Sequence, residues 1–87
     1  MAWHVYMVRC ADDTLYTGVA VDVAARAAQH NAGAGAKYTR ARTPVTVVWS
    51  ARARSRSAAC KREYAIKQLS RAAKEQLILG SGFTKQK

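Results

Sequence analysis

The first twenty residues leave this chain little choice of local structure. Trp3 to Cys10 and Leu15 to Ala20 are runs rich in β-branched and aromatic residues, and Ala11-Asp12-Asp13-Thr14 lies between them. Val, Tyr and Trp fit a pleated, half-buried surface, and Asp in a turn bonds its own backbone nearby. A β-hairpin follows. Only one other stretch has strand character: "VTVVWSA", Val45 to Ala51, opened by Pro44, the only proline. A sheet built from these runs has three strands, and the rest of the chain must supply the layers that bury it.

Those layers read as helices. Asp22 is a candidate N-cap for a helix from Val23 to about Asn31. Ser57 can cap a second, Ala58 to Leu69, and Ser70 a third, Arg71 to Leu79. "NAGAGAKYT" reads as a glycine-containing loop. It lacks the G-x-x-x-x-G-K-[ST] spacing of a nucleotide-binding loop. The expected order is ββαβαα: a small α+β domain with a three-stranded, mainly antiparallel sheet flanked by helices. At 87 residues there is room for one domain, residues 1–79, with 80–87 expected as a flexible polar tail.

Charge bounds the partners. Fifteen Lys and Arg against five Asp and Glu leave a net charge of +10, which favours a polyanion through phosphate contacts and counterion release. No run of about 18 apolar residues exists to span a membrane, and no stretch pairs a strong apolar face with a basic one. The N-terminus lacks a secretory pattern, so a cytoplasmic location is expected. Cys10 and Cys60 lack C-x-x-C spacing and read as ordinary buried thiols.

The residues able to do chemistry are few. Tyr6 and Tyr16 lie ten positions apart, the second leading into Thr17-Gly18. Gly18 removes a side chain where backbone must approach another group. Arg26 and His30 stand at i and i+4, on one face of the first helix, and two readings compete: a functional pair or a solvated polar face. Glu63 is one of only two glutamates. Ala59, Cys60 and Ile66 flank it on the helix wheel, which places an acid in an apolar stripe that calls for a metal ion or arginine as partner. A neighbouring arc through Ala58, Ala65 and Leu69, centred on Arg62, competes, and would leave an exposed Glu63–Lys67 pair.

"HVY" and "YTG", then Arg26, "HN" at His30-Asn31, "GAGAKYTRARTP" and "KREYAIKQLSR" together resemble the GIY-YIG nuclease family. The likeness is closest to its small stand-alone members of the UPF0213 type, and it spans Trp3 to Ile78. The resemblance implies that Tyr6 and Tyr16 are the motif tyrosines, one of which activates or orients water. It implies that Gly18 is the motif glycine and that Arg26 stabilises charge on the scissile phosphate. His30 would act as base or water-positioner, and Glu63 would bind one divalent cation, Mg2+ or Mn2+. His4 stands where the motif has glycine. Val19 stands where some members carry a lysine near the tyrosine.

The chemistry fits these residue types. Arginine offers a planar fork for phosphate oxygens, histidine titrates near neutrality, and a lone carboxylate favours one metal over two. Lys37, Arg40 and Arg42 in "KYTRAR" are candidates for flanking phosphates, with Tyr38 as a stacking face or a core residue. Trp3 and Trp49 read as sheet residues. The function implied is a metal-dependent endonuclease hydrolysing DNA phosphodiesters in DNA processing or repair. So small a domain has little surface for base readout, so selectivity for structure over sequence is expected. The alternative is a catalytically weak nucleic-acid-binding module of the same fold.

Overall fold

The structure is a computed structural model that describes residues 2–81. In chain order its elements are β1 (Trp3–Arg9), β2 (Leu15–Ala20), α1 (Val23–Asn31), α2 (Lys37–Arg40), β3 (Thr46–Ala53), α3 (Arg56–Lys67) and α4 (Arg71–Ser81). The sheet order is β2-β1-β3, with both pairings antiparallel. The hairpin turn closes as its sequence implies. Asp12 Oδ1 accepts from the Thr14 amide at 3.2 Å and the Thr14 hydroxyl at 2.6 Å, while Asp13 takes a φ of 69°. Aspartate tolerates that left-handed conformation better than most residues.

Being central, β1 is covered on both faces. Val5 and Met7 join Val48, Trp49, Ile66 and Ile78 in a core beneath α3 and α4. Tyr6, Val8 and Cys10 join Ala20 and Val45 in a second core beside Val23 of α1. A register shift between Met7 and Val8 pairs Met7 with Trp49 but Val8 with Val47, leaving Val48 as an extra residue on β3.

Helix α1 starts as expected, with Asp22 Oδ1 accepting from the Ala25 amide at 3.0 Å. It ends in a Schellman turn: Ala34 N–H donates to Gln29 C=O at 2.9 Å and Gly33 N–H to His30 C=O at 3.0 Å. Gly33 supplies the required positive φ of 81°. The turn sends the chain back across the end of α1. There the expected loop contains a further short helix, α2, so the order is ββααβαα. Its single turn lacks the length for a helical period to show in sequence.

Helix α3 also differs from expectation. Its cap is Ser55, not Ser57: Ser55 Oγ accepts from the Ala58 amide at 3.1 Å, and the helix covers Arg56–Lys67. Strand β3 runs two residues past Ala51 to Ala53, so Ser55 is the serine still in extended backbone when the helix begins. On α3, Ala59 and Ile66 are buried and Arg62 and Ala65 exposed, as is Leu69 past the helix end, so the inward arc is the one flanking Glu63, yet the Glu63–Lys67 pair of the competing reading also forms. Cys10 is buried and Cys60 partly so, and both are free thiols. Helix α4 continues through Gly80 and Ser81, past the expected domain end at Leu79. The rest of the expected tail, residues 82–87, lies outside the described residues. No helix among the described residues is long and apolar enough to cross a membrane.

Helix α4 is pinned by charge. Arg9 on β1 makes two hydrogen bonds to Glu75, at 2.8 and 3.0 Å, and Arg71 Nε adds a third at 2.8 Å. The Arg9 guanidinium, opposed by burial and reinforced by Arg71, holds the Glu75 carboxyl down to about 2 from an ordinary 4.5. Because the folded value is depressed, the pair's contribution is full above pH 4.5 and lost as pH falls towards 2, where the unfolded carboxylate protonates first. Glu75→Gln should therefore lower stability by about 1–2 kcal/mol at pH 7, the scale of a charge-assisted pair partly open to solvent. Urea unfolding at stepped pH checks it, since the variant should lose the acid-side decline. An unchanged profile would remove Glu75 from the fold's supports.

Candidate active site

Tyr6 faces Gly18 across the hairpin, and Val8 faces Tyr16. Residues opposite each other in an antiparallel pair project to one side, and so do residues two apart on a strand. Tyr6 and Tyr16 therefore share a face. Gly18 has a packing reason. A Cβ there would stand 2.6 Å from Tyr6 Oη and 2.8 Å from Tyr6 Cζ, so the Tyr6 ring lies directly over the glycine. The missing side chain lets the phenol cross β2, the edge strand.

His30 meets that phenol. The imidazole is fully buried, and its Nε2 lies 2.9 Å from Tyr6 Oη. Its Nδ1 lies 2.7 Å from the hydroxyl of Thr39, a buried residue of α2. Thr39 has one hydroxyl proton. Donated to the Ala36 carbonyl at 3.0 Å, it leaves the Thr39 oxygen to accept from Nδ1–H, and Nε2 then accepts from Tyr6. Donated to Nδ1 beside the Ala36 amide at 3.3 Å, it leaves Nε2–H to donate to Tyr6. Both arrangements satisfy the ring, so the imidazole can carry its proton on either side. Gly35 permits this packing, because a Cβ there would collide with His30 Nδ1 and stand 2.8 Å from His30 Cα. Asn31, next to His30, clamps the segment before β3: its side chain donates to Val45 C=O at 3.1 Å and accepts from Val45 N–H at 2.6 Å.

Charged groups frame the Tyr6–His30 pair. Burial pushes the Tyr6 phenol above its usual 10, and the nearby positive charge of Arg26, whose guanidinium donates to Gln29 at 2.9 Å, pulls the other way. Tyr16 and Glu63 add smaller influences in the raising direction. Burial, then the positive charge on Arg26, hold His30 below its usual 6.5. The Tyr16 ring meets His30 edge-on at 5.4 Å and stacks on Tyr38 at 5.8 Å. Lys67 closes the other side: its ammonium lies 3.3 Å from Glu63 Oε2 and 5.7 Å from the Tyr16 ring centre.

The structure thus brings Tyr6, Tyr16, Gly18, Arg26 and His30 together, while Glu63 on α3 pairs with Lys67, whose ammonium faces the Tyr16 ring. The loop residues divide. Lys37 and Arg40 are exposed on α2, whereas Arg42 is committed to the fold: it bonds Asp12 at 3.0 Å and Tyr38 C=O at 2.7 Å, and covers the Tyr38 ring at 4.0 Å. Trp49 is buried in the sheet core and Trp3 partly buried on β1. The Glu63–Lys67 pair, one of the two sequence readings of α3, is present. Thr39, Asn31 and Gly35 were given no role from sequence, because "HN" and "GAGAKYT" carry no periodicity that assigns one.

The match to the GIY-YIG catalytic domain covers residues 2–76, and the chain belongs to that family. It is similar to a UPF0213 protein of Halobacterium salinarum, 60% identical over 75 residues, which are 86% of this chain and 97% of that one. A UPF0213 protein of Desulfotalea psychrophila is 54% identical over 81 residues, 92% of this chain and 74% of its own. Among solved structures, the solution NMR structure of the UPF0213 protein BH0048 from Bacillus halodurans superposes with a TM-score of 0.61 at 43% identity. It covers 94% of this chain and 87% of that one.

Two measurements check the site. Gly18→Ala should destabilise the domain by about 1–3 kcal/mol through overpacking against Tyr6. The Tyr6→Phe background, which deletes the nearest atom, should recover part of that loss in thermal melts. Equal losses in both backgrounds would place the clash elsewhere. The buried imidazole also makes stability fall as pH drops below 6.5, because the unfolded chain takes up a proton that the folded chain resists. NMR titration should find the His30 ring titrating below the ordinary 6.5 of a histidine, and an imidazolium that persists above that value would contradict the burial.

Proposed function

We propose that this domain is a divalent-cation-dependent endonuclease hydrolysing DNA phosphodiester bonds, selective for nucleic-acid structure more than sequence, in DNA processing or repair. The observation that carries it is the Tyr6 hydroxyl, bonded to a neutral buried His30 and flanked by Arg26. A phenol held above its ordinary value stays protonated at neutral pH and is a poor free base. Paired with His30 it can pass a proton on. The Tyr6 oxygen accepts from the attacking water while its own hydrogen moves to Nε2, and the resulting imidazolium is held through Nδ1–H by Thr39. Arg26 presents its fork to the phosphate oxygens on which negative charge grows. Tyr16, on the same face, orients the water or the phosphate.

Glu63 fits a hard divalent cation, as a partly open oxygen donor on α3. Among the described residues there is no cluster of three or more His, Cys, Asp or Glu. The remaining ligands would be water and phosphate oxygens, a habit of Mg2+ more than of zinc, with Mn2+ also suited. When bound, such a cation supplies Lewis acidity at the scissile phosphate and its leaving oxygen. The Glu63–Lys67 ion pair is the one observation favouring the alternative, a binding module with little turnover, because lysine already neutralises the carboxylate.

Cleavage of single-stranded, duplex and branched DNA with and without Mg2+ separates the two. Glu63→Gln should abolish metal-dependent cleavage while leaving the fold and most DNA binding intact. Tyr6→Phe and Tyr16→Phe should each slow cleavage by roughly 100-fold, the scale of a positioned acid–base group. Wild-type rates in all three variants would leave the binding module as the better reading.

A further inference from the structure

Beside the catalytic cluster, along the free edge of β2, runs a cleft of about 250 Å³ lined by Leu15, Tyr16, Thr17, Tyr38, Lys67 and Lys74. Its floor is aromatic, made by the stacked rings of Tyr16 and Tyr38. Its cations come from different helices, Lys67 from α3 and Lys74 from α4. The pattern of ion pairs makes them unusual. All five acidic residues are already engaged: Asp12 with Arg42, Asp13 and Glu75 with Arg9 and Arg71, Glu63 with Lys67, and Asp22 as the α1 cap. Lys74 is partly buried in the cleft wall and has no carboxylate partner among the described residues. An edge strand also turns unpaired backbone N–H groups outward, and these are donors suited to an anion.

A partly desolvated ammonium without a counter-ion, set against aromatic faces and a second lysine, is a site for an anion carried on a flexible strand. Lys67 ties that site to the chemistry, since it touches Glu63 as well as Tyr16. We infer that this cleft is a phosphate subsite in which Lys74, assisted by Lys67, holds the backbone phosphate next to the scissile one. The inference rests on the nuclease reading for the identity of the bound strand. It sets the path of that strand, from Tyr6 and Arg26 past Tyr16 and out between α3 and α4.

The test uses the full chain and short DNA oligonucleotides in which one phosphate at a time is replaced by an uncharged methylphosphonate. Binding is measured without divalent cations, and cleavage separately with Mg2+. For the wild-type protein, neutralising one phosphate adjacent to the cleavage position should weaken binding by about tenfold, and Lys74→Ala should weaken it similarly on the unmodified strand. Combined, the two changes should cost no more than either alone, whereas Lys74→Arg should retain the sensitivity to the methylphosphonate. Thermal melts establish that both variants fold. Additive losses at every position, or undiminished binding by Lys74→Ala, would overturn the subsite even if the protein cleaves DNA. Coupled losses without cleavage would keep the subsite and defeat the nuclease reading, and a wild-type protein that neither binds nor cleaves would overturn both.

Discussion

A hydrogen-bonded chain of side chains, Tyr6–His30–Thr39, runs through the interior between β1, α1 and α2. Burying a phenol, an imidazole and a hydroxyl is costly unless every polar atom finds a partner with good geometry. The surrounding fold meets that condition. Gly18 clears the path of the phenol, Gly35 lets the loop lie against the imidazole, and Asn31 ties the same helix end to the chain entering β3. Slide α1 by one residue along the sheet and all of these contacts are lost together. The polar chain thus fixes helix against sheet and holds the buried Tyr6 hydroxyl against His30.

The opposite layer is fixed by charge. Arg9, Glu75, Arg71 and Asp13 form a linked set joining β1, the hairpin turn and α4. Networks of this kind hold better than isolated surface pairs, because each side chain is already restrained by another partner. With the acids so engaged, the net charge of +10 comes from Lys and Arg that no carboxylate offsets.

The Tyr6–His30 cluster and the neighbouring cleft sit at the free edge of β2, where the two layers meet. Tyr6, Tyr16, Arg26 and His30 come from the α1 side, while Glu63, Lys67 and Lys74 come from α3 and α4. Such a seam lets a rigid core on each side hold groups of opposite character, a buried imidazole and a partly solvated carboxylate. Burial and Arg26 act on the Tyr6 hydroxyl in opposition, the first raising its pKa and the second drawing it down.

The strands, the Asp22 cap, α1 and the antiparallel hairpin were legible because each is encoded within a few neighbouring residues: β-branched runs, a turn-forming Asp pair, a capping side chain. The candidate residues Tyr6, Tyr16, Arg26, His30 and Glu63 were legible through the resemblance to the GIY-YIG motif, since fifteen Lys and Arg and four Tyr leave residue type alone unable to choose among them. Sequence could not choose between Ser55 and Ser57 as a cap, since both offer a hydroxyl and only the length of β3 separates them. It could not find α2 in a glycine-containing stretch too short for a helical period. Nor could it assign Thr39 to His30, Gly18 to the Tyr6 ring, Arg42 to Asp12, or Lys74 to the cleft beside Tyr16. Each of those pairings joins residues distant along the chain. Local pattern sets backbone preference and which face is apolar, but which two side chains meet is settled only when whole elements pack under the demand that buried polar groups be paired.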